Sequence, residues 1–139
     1  MKRIELVVAV LVDLDSRVAL QRRQQKSKFY PGMLSLFGGH LEKWESPEMA
    51  INRELYEELD ITPQQTRLQF MLDKFFDAVV EYVEPIRVHI FQGDLPPDHT
   101  LKDGAMELYE LSEALQLGDL VPTARAGLEH YADIKERGN

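Results

Sequence analysis

The segment from Gly39 to Ile61 reads GHLEKWESPEMAINRELYEELDI, and it contains the strongest structural signal in this chain. A glycine-rich turn is followed by an amphipathic helix pattern, in which Ser46 takes the N-cap position and Pro47 the first helical position. Apolar residues then recur at every fourth position and form one stripe: Ile51, Leu55 and Leu59. The segment therefore predicts a tight turn that leads the chain into a helix packed on the core.

The same helix carries an acidic cluster beside its apolar stripe. Positions three and four apart share a helix face, so Glu54, Glu57 and Glu58 are expected to lie together. Carboxylates in such a cluster repel one another, whereas Mg²⁺ requires oxygen ligands of this kind. Arg53 precedes Glu57 by one turn and can offset the repulsion through bidentate ion pairs. The cluster therefore predicts a Mg²⁺ site, with Mn²⁺ as the alternative ion.

This spacing resembles the Nudix box of the Nudix hydrolase family, including its MutT-like members. The box reads Gly, five residues, Glu, seven residues, then Arg-Glu-aliphatic-any-Glu-Glu-any-Gly-aliphatic. One position departs, because Asp60 stands where the box has its second Gly. A left-handed residue is expected to end the helix there, and Asp tolerates that conformation better than most residues. The positions that match in register are Gly39, Glu45, Arg53, Glu54, Leu55, Glu57, Glu58 and Ile61.

Strands and helices interleave along the chain, with hairpins among the strands, which indicates a mixed sheet with helices on its faces. The resemblance sharpens this to the Nudix α/β/α sandwich, with a mixed β-sheet between helices, formed by residues 1–139 as a single domain. Acids at 81–84 are expected in a solvated hairpin. The predicted strands cover residues 4–12, 17–22, 34–37, 68–76, 78–83, 86–91 and 108–111, and the later predicted helices cover 112–117 and 123–136.

The resemblance also implies a role for each matching side chain. Arg53 would serve catalysis by holding the neighbouring glutamates, and Glu45 would brace the junction between the loop and the helix. Glu54 and Glu57 would serve both catalysis and metal binding. The full set of implied metal ligands is the Gly39 carbonyl, Glu54, Glu57 and Glu58.

The general base stays open among three acids. In the resembled family it is either a box glutamate, here Glu57, or an acid on a distant loop. Glu107 is the first distant candidate, because residues 106–111 resemble a MutT-type segment in which a metal-binding Glu precedes an aromatic or aliphatic strand. Asp103 is its close rival, and for both acids a solvated loop position is an equally good interpretation.

Two residues are predicted to contact the substrate. Arg23 belongs to an arginine pair that resembles one near the MutT nucleotide pocket, and Phe37 occupies a position where many MutT-like members have Pro. Trp44 can either stack on a base or support the glycine loop. His40 and His89 are expected to be hydrogen-bonded structural residues rather than ligands.

Members of the resembled family cleave a nucleoside diphosphate linked to another group, by attack of water at phosphorus. We therefore expect a metal-dependent pyrophosphohydrolase acting on a nucleoside triphosphate or a nucleotide conjugate. The alternative is a Nudix-fold nucleotide-binding regulatory module without turnover, although such modules can lose box carboxylates and this chain keeps them all. An isomerase that shares the fold uses a cysteine, and this chain has none.

The composition narrows the expected partners and location. With 16 basic and 24 acidic residues, the chain has a net charge of −8, which disfavours nucleic acid and an RNA-decapping role. No apolar run has the length of a membrane span, and the N-terminus lacks the features of a signal peptide. The absence of cysteine suits a reducing cytosol. We therefore expect a cytoplasmic protein, monomeric or homodimeric, without nucleic-acid or membrane partners.

Overall fold

A computed structural model describes residues 4–76, 85–102 and 104–138. The strands are β1 (Ile4–Val12), β2 (Arg17–Arg22), β3 (Leu34–Ser35), β4 (Phe37–His40), β5 (Gln69–Phe76), β6 (Ile86–Asp94) and β7 (Ala105–Glu110). The helices are α1 (Pro47–Leu59), α2 (Pro63–Thr66), α3 (Leu111–Ala114) and α4 (Pro122–Arg137).

The strands form a mixed sheet in the order β3-β2-β1-β6-β5, with β4 added beside β1 and β7 beside β2. β1 and β6 run parallel along their whole length, and the other pairings are antiparallel. β1 pairs with β2 only at Val12 and Val18, while residues 6–9 of β1 pair with β4 instead. Because β4 takes this place, the sheet opens between β1 and the distal part of β2. That opening positions the site described below.

β1 separates two apolar cores, because its side chains alternate between the faces of the sheet. Val7, Ala9 and Leu11 pack with the apolar stripe of α1. Val8 and Val10 point to the other face and pack with buried residues of α4. Helices thus cover both faces of a mixed sheet, and the predicted α/β/α sandwich is confirmed.

Both ends of α1 have the predicted chemistry. The Ser46 hydroxyl accepts a hydrogen bond of 3.2 Å from the backbone N–H of Met49, and Pro47 begins the helix. Asp60 ends it with φ 57° and ψ 37°, in the left-handed region, and its N–H donates to the carbonyls of Leu55 and Tyr56. This geometry explains why the box has Gly at that position, since Gly adopts left-handed angles at no steric cost.

Several strand boundaries differ from the prediction, including the end of β6 at Asp94, and two of the differences have a topological reason. Leu36 divides the predicted strand 34–37 into β3, which pairs with β2, and β4, which pairs with β1. The last strand begins at Ala105, because six residues of β7 pair with β2, and Leu111 already begins α3. Pairing partners are distant in sequence, so the local pattern placed these ends incorrectly.

α2 is a short helix that the sequence pattern did not predict. Its available signal was the capping box, in which the Thr62 N–H donates to Gln65 Oε1 at 2.8 Å. The predicted strand 78–83, the acids at 81–84 and Asp103 lie outside the described residues. Within the described ranges, no helix combines the length and apolar character needed to cross a membrane.

Candidate active site

Arg53, on α1, forms hydrogen bonds to several groups of the segment that joins β4 to α1. Its Nε donates to Glu45 Oε2 at 2.6 Å and its Nη2 donates to Glu45 Oε1 at 2.9 Å, a bidentate ion pair. The Glu45 side chain is only 1% exposed, so this charge depends on its partner. The Arg53 hydrogen bonds hold the pKa of Glu45 below its ordinary value, and the same contacts raise the pKa of Arg53. Glu45 therefore braces the loop against the helix.

The remaining hydrogen bonds of Arg53 reach the loop and the helix acids. Nη2 also donates to the His40 carbonyl at 3.1 Å. Nη1 donates to Glu54 Oε1 at 3.0 Å and to Glu57 Oε1 at 3.3 Å. One guanidinium thus fixes the glycine loop and partly neutralises two carboxylates that would otherwise repel each other.

The two glycines of β4 let two helix carboxylates approach the backbone. A Cβ atom added to Gly39 would lie 2.5 Å from Cδ and Oε1 of Glu54, so a larger residue there would displace that carboxylate from its position. Gly38 has φ +151°, and a Cβ there would lie 2.0 Å from the carbonyl oxygen of Val7. The Gly38 N–H donates to Glu58 Oε1 at 3.1 Å. The glycine pair is therefore a cradle for Glu54 and Glu58.

The donor set fits a hard divalent cation by its chemistry. Glu54, Glu57 and Glu58 supply carboxylate oxygens, and Gly39 supplies a backbone carbonyl, as such ions require. Within the described parts of the chain, no three His, Asp or Glu side chains already converge as a ready-made metal site. The physical reason is that Arg53 holds two of these carboxylates, while the Gly38 N–H holds the third. Converging on one ion therefore requires the glutamate side chains to rotate.

A cavity of about 240 Å³ opens beside the glycine cradle, at the opening of the sheet. Arg23, which was predicted to contact the substrate, lines this cavity, and its Nε donates to the Phe29 carbonyl at 3.0 Å. The cavity combines an aliphatic wall with several polar groups, a lining typical of small-molecule sites. The lining also includes residues that the sequence analysis missed: Gln21, Tyr30, Ser35 and Thr123. They come from separate segments of the chain, and no local sequence signal connects them.

Phe37 does not line this cavity, so its prediction as a substrate contact is wrong. Its side chain is 0% exposed and packs in the core between the sheet and α1. The reason is strand alternation in β4, which turns Phe37 toward the same core as Ala9, its partner in β1.

Glu107 is not brought to the helix carboxylates. Met106 and Leu108 pack with the α1 core, so the alternation of β7 turns Glu107 to the opposite face of the sheet. There it accepts bonds of 2.7 and 2.8 Å from Nε and Nη2 of Arg22, and one from the Tyr109 hydroxyl. The Arg22 guanidinium lowers the pKa of Glu107 to about 2, which makes it a weak base. This position counts against Glu107 as the catalytic base, for which Glu57 and Asp103 are the other candidates.

Arg22, the neighbour of Arg23, is a structural residue. Besides Glu107, it donates to Asp119 Oδ2 at 2.5 Å and to the Gly32 carbonyl at 2.9 Å. These contacts join β2 and β7 to the segments at 24–33 and 118–121, which border the cavity. Arg22 thus fixes the walls of the cavity, while Arg23 faces its interior.

The remaining candidates have clear positions. His89 is buried, with Nδ1 at 2.6 Å from Asp73 and Nε2 at 2.6 Å from Glu5, which agrees with the structural role predicted for it. His40 contributes its backbone carbonyl to Arg53. Trp44 is 70% exposed and so gives the glycine loop little packing support.

Comparison with known proteins identifies the family. A family model described as NUDIX domain matches residues 2–131. The 8-oxo-dGTP diphosphatase of Escherichia coli (strain K12) is 34% identical over 68 residues, which is 49% of this chain and 52% of that protein. The match thus spans about half the length of this curated relative.

Solved structures reproduce the fold over the full chain. The MutT protein from Methanosarcina mazei Go1 matches with a TM-score of 0.79 and 22% identity, covering 98% of this chain and 99% of that chain. The NUDIX domain of Shewanella oneidensis NrtR, solved in complex with ADP ribose, matches with a TM-score of 0.77 and 17% identity, covering 100% and 90%. These two similarities show the fold, while the family model covers most of the sequence and includes the glycine cradle and α1. The chain belongs to the NUDIX domain family.

Proposed function

We propose that the protein is a Nudix hydrolase that cleaves a nucleoside diphosphate linked to a second group, by attack of water at phosphorus. The substrate is a nucleoside triphosphate or a nucleotide conjugate, and the cofactor is Mg²⁺, which Mn²⁺ can replace. The observation that carries this proposal is the Glu54 carboxylate seated against Gly39, on a scaffold fixed by the buried pair of Arg53 and Glu45.

The relatives support the substrate class. One relative is named for its action on 8-oxo-dGTP, and one similar domain was solved with ADP ribose. Both molecules contain a nucleoside diphosphate joined to a further group. In this chain, the cavity beside the glycine cradle offers a place for the nucleoside, with Arg23 among its polar groups.

Nudix hydrolases generally use a divalent metal, and the residues that would hold it here are Glu54, Glu57, Glu58 and the Gly39 carbonyl. When bound, such an ion polarises a phosphoryl oxygen, lowers the pKa of a water molecule and neutralises charge on the leaving phosphate. The acidic cluster alone repels a phosphate chain, so the proposed activity depends on the metal.

The side chains divide the remaining work according to their exposure. Glu57 is 55% exposed, so water reaches its carboxylate, and we assign it as the base that takes the proton from the attacking water. Glu54 is only 16% exposed against the glycine cradle and is suited to a fixed ligand position. Arg53 stays charged and orients both acids. The products are a nucleoside monophosphate and the second phosphorylated fragment, with no covalent protein intermediate.

A phosphate-release screen tests the proposal. Nucleoside triphosphates, oxidised triphosphates, nucleotide sugars and dinucleoside polyphosphates are offered with Mg²⁺, with Mn²⁺ and with EDTA. We expect turnover of at least one class that stops in EDTA and returns when Mg²⁺ is restored. Glu57→Gln, purified in the same way, should lack this activity, which excludes a contaminating phosphatase. Full turnover in metal-free buffer contradicts the mechanism.

The same panel examines the alternative of a nucleotide-binding module. If no class is turned over with either metal, yet one binds in equilibrium dialysis, the chain is a binding module and the hydrolase proposal fails. Retention of the whole acidic set Glu54, Glu57 and Glu58, together with the Arg53 scaffold, favours the hydrolase.

A further inference from the structure

The segment at 24–33 is a closed loop that borders the cavity beside the glycine cradle. The Arg23 N–H donates to the Met33 carbonyl at 2.8 Å, so the two ends of the loop lie together. A turn inside the loop is closed by the Met33 N–H, which donates to the Tyr30 carbonyl at 3.2 Å. Compact loops with joined ends frequently carry functional residues. Within this loop, Arg23 and Tyr30 line the cavity.

Tyr30 has a backbone conformation that its local sequence disfavours. Its φ of +50° lies in the left-handed region, which a bulky side chain rarely occupies. Pro31 follows it, and a residue before proline favours an extended backbone instead. Strain of this kind persists only where the surrounding structure enforces it, and it is concentrated at ligand sites. The conformation of Tyr30 therefore indicates a constraint that comes from outside the local sequence.

Two arginine side chains enforce this conformation. Just before Tyr30, the Phe29 carbonyl accepts a hydrogen bond of 3.0 Å from the Nε of Arg23. Shortly after it, the Gly32 carbonyl accepts one of 2.9 Å from the Nη1 of Arg22, which is itself held by two carboxylates. Hydrogen bonds from a charged donor are stronger than those between neutral groups. The backbone is thus tied on both sides of Tyr30, and these bonds offset its strain.

The Tyr30 side chain is partly buried between the core on the α4 side of the sheet and the cavity. Among the described residues that line the cavity, it has the only benzene ring. Aliphatic surface in the same lining comes from Leu6, Val8 and Ile86. A flat, aromatic group fits such a combination, because aromatic rings stack face to face with an offset and bury apolar surface. A nucleobase is a group of this kind.

We propose that Tyr30 stacks on the nucleobase of the substrate, which makes it a specificity-determining residue. This inference rests on the proposed function, because that function places the nucleoside in this cavity. An extended backbone at Tyr30 would redirect its Cα–Cβ bond and carry the ring away, which explains why the strained conformation is kept. Every base has a flat aromatic face, so stacking tolerates different bases. It favours nucleotides over phosphorylated sugars, which have no base.

Calorimetry in Mg²⁺ buffer tests this without turnover, with AMP, GMP, CMP and UMP as probes and ribose 5-phosphate as the control that lacks a base. Tyr30→Phe keeps the ring, whereas Tyr30→Leu keeps only an apolar side chain. Tyr131→Leu is a matched control, because Tyr131 is partly buried against the same core but lies later on α4 and does not line the cavity.

Base stacking predicts that Tyr30→Leu weakens the Kd of the tightest monophosphate about 5- to 150-fold. Tyr30→Phe and Tyr131→Leu should stay within about twofold of wild type. Ribose 5-phosphate should bind wild type and Tyr30→Leu equally weakly. A residue that only packs would treat Phe and Leu alike, so the difference between the two variants identifies stacking.

Four results overturn the inference. They are a Tyr30→Leu affinity within about twofold of wild type, an equal loss in Tyr30→Phe, a parallel loss for ribose 5-phosphate, and a wild type that binds none of the four monophosphates. Circular dichroism confirms folding, and Tyr30→Met, which also lacks the ring, replaces the Leu variant if that one unfolds. Failure of the hydrolase proposal appears separately, as nucleotide binding that depends on Tyr30 without turnover of any nucleotide.

Discussion

The glycine cradle with α1 and the β2–β7 pair show two different ways in which charged residues find their partners. In the first region, the described hydrogen bonds of Arg53 reach no further than His40, 13 positions away. In the second region, Arg22 binds Glu107 across 85 positions. Both arginines hold carboxylates by bidentate pairs, yet only the arrangement around Arg53 could be predicted from the sequence. Pairs at a short sequence separation can be predicted from local patterns such as helix periodicity, whereas pairs that are distant in sequence depend on the register of the sheet.

The largest expected effect tests the chemistry of the first region. Glu57→Gln and Glu58→Gln keep the side-chain shape but remove the charge that binds metal, so each should lower turnover by about 10²–10⁴-fold. Both variants should remain folded, and the metal-free melting temperature should stay equal or rise, because repulsion within the cluster falls. Glu129→Gln, at an exposed position on α4, is the control and should resemble wild type. Near-native turnover by either cluster variant refutes the assignment.

A second prediction concerns the ion pair between Glu45 and Arg53, which holds the glycine loop against α1. Glu45→Gln removes the charge from a carboxylate that is 1% exposed and bound twice by Arg53. Breaking a fully buried pair costs about 3–5 kcal/mol, and we expect about 2–3 kcal/mol here because Arg53 is partly exposed and keeps other partners. Urea unfolding measures the loss. A change below about 0.5 kcal/mol, the range of ordinary surface substitutions, would show that the buried pair adds no stability.

The same contrast explains which features of the fold and of the site could be predicted from the sequence. The helix caps, the apolar stripe and the acidic cluster of α1 are local features of the sequence. Ser46, Leu55 and Asp60 occupy the predicted positions. The side on which Phe37 and Glu107 lie depends instead on which strand each segment joins, and the short pattern around them contains no information about that. The cavity is harder still to predict from the sequence, because its walls come from segments that only the fold brings together.

A third prediction tests the second region directly. Glu107→Gln should change kcat by less than about threefold, because Glu107 lies on the opposite face from α1 and lacks the 10²–10⁴-fold contribution of a base. It should instead lower stability at neutral pH by about 1 kcal/mol, a value discounted for the partial exposure of the pair. A loss in kcat of a hundredfold would restore Glu107 to the catalytic set.

The pH dependence of stability distinguishes this structural role from a solvated acid. The folded pKa of Glu107 is about 2 and its ordinary value is 4.5, so the folded state binds this proton more weakly. Its contribution is therefore present above pH ~4.5 and is lost as the pH falls toward ~2. The stability difference between wild type and Glu107→Gln should shrink across that interval, which urea unfolding at several pH values measures. A constant difference would show that packing, and not charge, explains the effect.

The smallest expected effect concerns Asp60, which stands where the Nudix box has its second Gly. Its φ of 57° and ψ of 37° are left-handed, and a residue with a side chain is strained there by roughly 1 kcal/mol. Asp60→Gly removes that strain but also removes the weak contact with Lys102 at 3.7 Å, so a net gain somewhat below ~1 kcal/mol is expected. Turnover should stay close to wild type, since no ligand is lost. Asp60→Asn is the matched comparison, because it removes the charge and keeps the side chain: if strain dominates, only the Gly variant should melt higher. A lower melting temperature for Asp60→Gly would mean that the Asp60 side chain contributes more than its backbone strain costs.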